Sequence, residues 1–291
     1  MNTGYRVRIL LDSENPYTGT RLTTFECTYP RSILAEVNTH RVLSRSSESS
    51  RAIPVAERIK AVREDPYVPQ TFGKNRPGMQ FTEEVEDSQA AYAIWADAVH
   101  DALRHAERMA ALGVHKEIAN RLLEPFAYVS SVISGTDWSN FDALRTHPDA
   151  SFAFRPLAEM MVAAREKSTP VLAVEHLPYL QVGEMHYSAD VRAMVCAARC
   201  ARVSYKPFED SKANVEKDLA LAYRLRNSGH MSPFEHVAFA ARGQYGNFRD
   251  WKQLRKSFPH EEDYGKFLRA KDGVLEPEDQ LALFEGKESG R

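Results

Sequence analysis

A mixed α+β fold is predicted by three features of the chain. Two strand-like segments joined by a turn open it, a long amphipathic helix occupies its middle, and helical segments fill most of the remainder before a short strand near residue 240. With 291 residues, 43% of them hydrophobic, the chain can bury a substantial core as one large domain or two small ones.

Arg6 to Leu11 and Thr20 to Tyr29 read as the strands, with Phe25, Cys27 and Tyr29 on one face and Asn-Pro-Tyr-Thr-Gly as the turn. Pro30 ends the second strand, and Ser32 is placed to cap a helix through Thr39. That helix delivers a polar run, Thr39 to Arg51, without an apolar stripe. Pro66, Pro69, Gly73, Pro77 and Gly78 make residues 66–81 an irregular loop, of a length that is often functional. The central helix spans Glu86 to Leu112, with Trp95, Val99, Leu103, Ala106 and Ala110 at helical spacing and Gly113 as its stop. Further helices are expected at His115 to Leu123, Trp138 to Arg145, Phe152 to Glu166, Val191 to Arg202 and Asn214 to Asn227, then a strand at Val237 to Ala241. The chain turns charged after Gln244, and its last dozen or so residues read as a poorly ordered tail.

Composition narrows the function. Thirty-eight Lys and Arg stand against forty Asp and Glu, so no net field attracts polyanions and bulk nucleic-acid binding is not expected. Cys27, Cys196 and Cys200 are odd in number and lack a second ligand pair, which argues against a disulfide framework or a zinc site. No stretch approaches the roughly 20 apolar residues of a membrane span, and no basic segment followed by an apolar run opens the chain. The expected location is the cytoplasm, with no membrane partner.

Three constellations carry chemistry. His40 and Arg41, then Ser44, Ser46, Ser47, Glu48, Ser49, Ser50 and Arg51, offer donors and cations to a phosphate and a carboxylate to a base edge, although a solvated serine-rich loop has the same composition. Gly229-His230-Met231-Ser232-Pro233-Phe234-Glu235-His236 follows a helix, and its histidine spacing does not match a helical metal pair. Asn140 and Arg145 lie about 90 residues beyond the serine cluster. Glycine-rich dinucleotide and P-loop motifs are absent, as is a nucleophile elbow.

Together these segments resemble the flavin-dependent thymidylate synthases (ThyX). That family's signature, Arg-His-Arg, seven or so residues, then Ser-x-Arg-Tyr, is similar to Thr39-His40-Arg41 followed after seven residues by Ser49-Ser50-Arg51-Ala52. Its second segment resembles Ala201-Arg202-Val203-Ser204-Tyr205 with Gly229 to His236. In the family this segment precedes the signature, whereas here it lies near the C-terminus, so a circularly permuted order is expected. A third segment, Gly113 to Pro125, carries Asn120 where the family has arginine, with Arg121 adjacent. Asn140-Phe141 and Leu144-Arg145 match the family's Asn-Phe and Leu-Arg, and the resemblance covers about residues 20–170 and 190–240.

The resemblance implies a curved β-sheet surrounded by long helices, with residues 1–245 as the catalytic domain and 246–291 as a charged, partly disordered C-terminal extension. It implies a homotetramer with sites between subunits, binding FAD through Ser204, His230, Ser232, Glu235, His40, Arg41 and Asn140. The pyrimidine nucleotide would meet Glu36, Glu48, Ser49, Arg51, Arg121 and Arg145, with Arg145 and Ser49 in catalytic roles. The implied reaction is reductive methylation of dUMP to dTMP with methylenetetrahydrofolate and NADPH as co-substrates. Glu36 replaces a frequent glutamine and, with Thr39 and Asn120, leaves three alternatives open: hydroxymethylation, dCMP as substrate, or a non-catalytic nucleotide- or flavin-binding protein.

Overall fold

Strand alternation writes the opening hairpin into the chain. β1 (Arg6–Glu14) and β2 (Arg21–Pro30) pair antiparallel around a turn in which Tyr17 N–H donates to Asn15 Oδ1 at 2.8 Å and Gly19 takes φ +72°. Phe25, Cys27 and Tyr29 are buried together on one face of β2, as their spacing requires. The structure, a computed structural model, describes residues 4–204 and 214–263, the side chain of Ser204 excepted. Residues 264–291, which include the expected tail, lie outside the described residues.

The helix expected from Ser32 to Thr39 is shorter than its sequence suggests. A 3-10 turn leads into one helical turn, α1 (Leu34–Val37), and Ser32 does not cap it. The Thr39 hydroxyl donates to the Glu36 carbonyl at 2.6 Å and its N–H returns to the same oxygen at 3.0 Å, so the chain turns away before His40. The polar run then supplies β3 (Ser44–Ser47), a strand that apolar periodicity could not reveal because its buried side chains are serines.

Next come α2 (Val55–Glu64), which the sequence reading did not single out, and α3 (Ser88–Ala111). Asp87 caps α3 by accepting the Ala90 N–H at 2.8 Å, and Gly113 ends it at φ +74°. The helix expected from His115 splits into α4 (Lys116–Ala119) and a 3-10 segment through Phe126 that contains Pro125. β4 (Tyr128–Gly135) follows, then α5 (Ser139–Arg145), α6 (Arg155–Lys167), β5 (Val171–Leu172) and β6 (Glu175–His176). The chain continues through α7 (Ala189–Ala201), α8 (Val215–Asn227), β7 (Ala238–Tyr245) and β8 (Phe248–Gln253).

Two sheets result. The larger runs β3-β4-β2-β1-β5, antiparallel except for the short β1–β5 pairing, and the smaller runs β6-β7-β8. Phe25, Tyr29, Val129 and Ile133 on one face of the large sheet pack with Phe141 of α5 and Leu157, Ala158 and Met161 of α6. α2, α3 and the 3-10 segment make a separate core around Val62, Leu103 and Leu123, while α7 and α8 close on Phe234 and Val237. No helix among the described residues is long and apolar enough to cross a membrane.

The other face of the large sheet meets the small one. Trp251 is fully buried beside Leu22, Ala238 and Phe248, and its Nε1–H donates to the Thr20 carbonyl at 2.9 Å. Asn15 donates from Nδ2 to the carbonyls of Ala241 and Asp250, at 3.0 and 2.6 Å, so the turn of the first hairpin is tied to the last one. The expected domain end at residue 245 falls inside the β7–β8 hairpin; β8 and its tryptophan place residues 246–253 within the fold.

Trp251→Ala removes a buried indole and its hydrogen bond, and is expected to lower unfolding free energy by about 3–5 kcal/mol. Urea denaturation measures this. A loss under about 1 kcal/mol would show that the last hairpin does not hold the sheets together.

Candidate active site

Arg145 ends α5, where a basic side chain suits the negative end of the helix, and three groups from α1 and the turn after it receive it. Its Nε–H donates to His40 Nε2 at 2.8 Å, Nη1 to Glu36 Oε2 at 3.1 Å and Nη2 to Thr39 Oγ1 at 3.3 Å. The guanidinium carbon lies 4.4 Å from the centre of the Phe154 ring, which supports the cation from one face. His40 stands edge-on to Phe141 and Phe154, with ring centres 5.0 and 6.1 Å away. Phe141 and Phe154 belong to the core behind the large sheet, so packing there fixes the residues around Arg145.

Burial, then the nearby positive charges of Arg145 and Arg45, push His40 from 6.5 down to about 4. The ring is neutral at pH 7, and because Nε2 accepts from Arg145 its proton sits on Nδ1. Three of the five guanidinium N–H bonds are thereby engaged, and the other two have no partner among the described residues. A cation held this way is prepared to stabilise negative charge that develops nearby.

A second cluster surrounds Glu124. Its Oε1 accepts from Arg31 Nε at 2.9 Å, Arg121 Nη1 at 2.9 Å and the Ser50 hydroxyl at 2.5 Å. Asn120 is fully buried and donates from Nδ2 to the carbonyls of Ser50 and Ile53, at 2.8 and 3.0 Å, so it shapes the turn that carries Ser49 and Arg51. Arg121, 53% exposed, and Arg51, 65% exposed and 3.7 Å from Glu117, stand outward with charge available to an anion. Glu48 faces the interior instead. Arg58, itself buried, holds its carboxylate, and a base edge would have to displace that guanidinium to reach it.

The Gly229–His236 motif joins these elements through its last residue. Gly229 adopts φ +75° after α8, and a 3-10 turn over Ser232–Glu235 delivers His236 to the interior. His236 Nδ1 lies 2.8 Å from Ser134 Oγ and Nε2 lies 3.0 Å from Ser46 Oγ, which links the motif to β4 and β3. Glu235 accepts from Arg255 Nη1 at 2.5 Å, and its carbonyl accepts from Gln253 Nε2 at 3.0 Å. His230 and Ser232 are exposed, as are Arg41 and Asn140. Ser204 was expected beside them, and its side chain lies outside the described residues.

The structure thus gathers Glu36, Thr39, His40 and Arg145 at one point, and Ser49, Arg51, Asn120 and Arg121 around another. Phe154, Arg45, Arg255 and Gln253 were not expected at these sites. Arg45 donates to the His40 carbonyl, and its position inside the serine run was the one visible signal.

A family model described as thymidylate synthase complementing protein matches residues 21–171. No curated protein matches the chain. Among solved structures, a UMP/dUMP methylase, PolB, from Streptomyces cacaoi bound with 5-Br UMP is 18% identical, with TM-score 0.47 over 57% of this chain and 90% of that one. The same methylase bound with 5-Br dUMP is 22% identical, with TM-score 0.44 over 50% of this chain and 67% of that one.

Native pKa values of about 4 for His40 and about 3 for both His176 and His236 lie below the ordinary 6.5, so the unfolded chain takes up these protons first. Their contribution to stability is full above about pH 6.5 and is lost as pH falls toward 4 and then 3. The urea midpoint is expected to drop between about pH 7 and 4.5, and a flat profile would contradict the burial of neutral imidazoles.

Proposed function

The chain belongs to the thymidylate synthase complementing protein family, and from that membership we propose that it catalyses FAD- and folate-dependent reductive methylation of dUMP at carbon 5, giving dTMP. The carrying observation is the 2.8 Å hydrogen bond from Arg145 to His40, which joins two motifs 105 residues apart around one preorganised cation. When bound, FAD passes on the reducing equivalents of NADPH while methylenetetrahydrofolate supplies the one-carbon unit.

The residues fit such a cofactor. Arg41, Asn140, His230 and Ser232 present exposed polar side chains suited to an anionic, hydrogen-bonding group. Arg145 places two free N–H bonds where a pyrimidine carbonyl oxygen gains charge, and neutral His40 holds that fork without competing for the charge. Arg51 and Arg121 take the phosphate, with Ser49 between the phosphate and the base. A homotetramer with sites between subunits belongs to the same proposal.

We read the order of segments as a circular permutation. His236 hydrogen-bonds Ser46, 190 residues earlier, so the C-terminal motif meets the signature strand in space while following it in the chain. Glu36 favours one alternative substrate. A carboxylate 3.1 Å from Arg145 is an acceptor suited to the amino group of cytosine, which makes dCMP the second base to assay.

Incubation with FAD, NADPH, methylenetetrahydrofolate and dUMP, with dCMP in parallel, followed by mass analysis, is expected to give the 5-methyl product from dUMP. A hydroxymethyl product, or turnover of dCMP alone, would replace the proposed reaction, and no flavin-dependent turnover of either would end it. Arg145→Ala is expected to cut kcat by about 100- to 1000-fold while FAD binding persists. Retained kcat would remove Arg145 from the mechanism.

A further inference from the structure

Six buried polar side chains from six segments form an unbroken series across the two sheets. Ser13 Oγ lies 2.8 Å from His176 Nδ1, and His176 Nε2 lies 2.7 Å from Thr24 Oγ1. Thr24 Oγ1 lies 2.6 Å from Ser134 Oγ, Ser134 Oγ is 2.8 Å from His236 Nδ1, and His236 Nε2 is 3.0 Å from Ser46 Oγ. Both imidazoles are fully buried and neutral at pH 7. The charges that reach them are Asp12, which opposes the shift at His176, and Arg45, which adds to it at His236.

Proton counting then restricts the series to two arrangements. A neutral imidazole has one N–H and one lone pair, and a hydroxyl has one proton to donate. If Thr24 donates to Ser134, its own oxygen must accept from His176 Nε2–H, and Ser134 then donates to His236 Nδ1. Both rings carry the proton on Nε2. If Ser134 donates to Thr24, every bond reverses and both rings carry it on Nδ1. Of the two mixed pairs, one leaves a hydroxyl proton idle in the interior and the other leaves no proton between the Thr24 and Ser134 oxygens 2.6 Å apart, and each costs about as much as a lost hydrogen bond.

The ends choose between the two. In the second arrangement Ser13 accepts from His176, and its hydroxyl proton needs another acceptor. Ser13 is 0% exposed, and among the described residues its side chain has no partner but His176. In the first arrangement the idle proton falls at Ser46, which keeps 8% exposure on β3 beside the Gly229–His236 motif. We propose that these six residues form one hydrogen-bonded chain of fixed direction, protonated on Nε2 at both histidines, that presents the Ser46 hydroxyl as a donor to an acceptor atom of the cofactor. Ser46 is then a binding residue, and His236 is a positioning residue that acts through it. The donor role rests on the flavin reading of the site, whereas the direction of the chain does not.

Imidazole 15N labelling of the full chain, read by long-range proton–nitrogen correlation, tests the direction. His176 and His236 are both expected to show protonated Nε2 and bare Nδ1 at pH 7. Opposite tautomers, Nδ1 protonation of both rings, or a charged ring would overturn the proposal. Ser46→Ala leaves Ser134 donating to His236 and is expected to preserve both tautomers while weakening FAD binding about 5- to 10-fold. His236→Gln, which keeps a donor near the Nε2 position, is expected to retain more FAD affinity than His236→Asn, which does not. Unchanged FAD affinity in Ser46→Ala would refute the donor role. A wild-type chain that binds no FAD would refute the flavin reading and, with it, that role, leaving the direction to the nitrogen spectra.

Discussion

Strand β2 is covered on both faces, and its second face carries Thr24 between the sheets, where an unpaired hydroxyl would cost as much as a lost hydrogen bond. Thr24 is paired with Ser134 on β4 and with His176 on β6, and Ser134 is paired in turn with His236. The small sheet, the glycine-histidine motif and the serine strand each contribute one partner to this seam, so none can shift without stranding a polar group. Apolar burial around Trp251 and Leu22 lies beside the seam and supplies cohesion, while the hydrogen bonds supply register.

Arg145 occupies its place because the core behind the large sheet holds its surroundings. Phe154 lies under the guanidinium and Phe141 against His40, and both rings are packed among residues of β2, β4 and α6. The ion pair with Glu36 adds little by itself, since that carboxylate is 42% exposed and well solvated. The hydrogen bond to a buried, neutral imidazole matters more for geometry. It leaves the charge balanced only by the solvated Glu36 carboxylate, where a carboxylate in place of His40 would have neutralised it.

The C-terminal described segment is joined to the same region. Gln253 bridges Ser44 Oγ, at 2.9 Å, and the Glu235 carbonyl, and Arg255 connects Glu235 to Glu261. Phe258 packs edge-on to Phe234 at 5.1 Å, with Arg226 over its ring at 4.9 Å. These contacts continue the fold past the last residue of the motif and make the final hairpin part of the support for β3.

What the sequence determined by itself is whatever depends on local chemistry. The hairpin at 6–30, the central helix with its stop at Gly113, the helices α7 and α8, and the membership of His40, Ser49, Arg51, Arg145 and Gly229–His236 in recognisable motifs were all legible there. Tertiary structure decided the rest. Ser44–Ser47 is a strand because β4, the small sheet and His236 satisfy its hydroxyls, and no pattern in a serine run announces partners that lie 84 to 209 residues away. Asn120 and Glu48 turned inward because burial offered each a defined partner, which composition does not record. Arg145 reads as an ordinary helix-ending arginine until the fold sets it against His40. Its chemistry comes from neighbours that only long-range packing brings together.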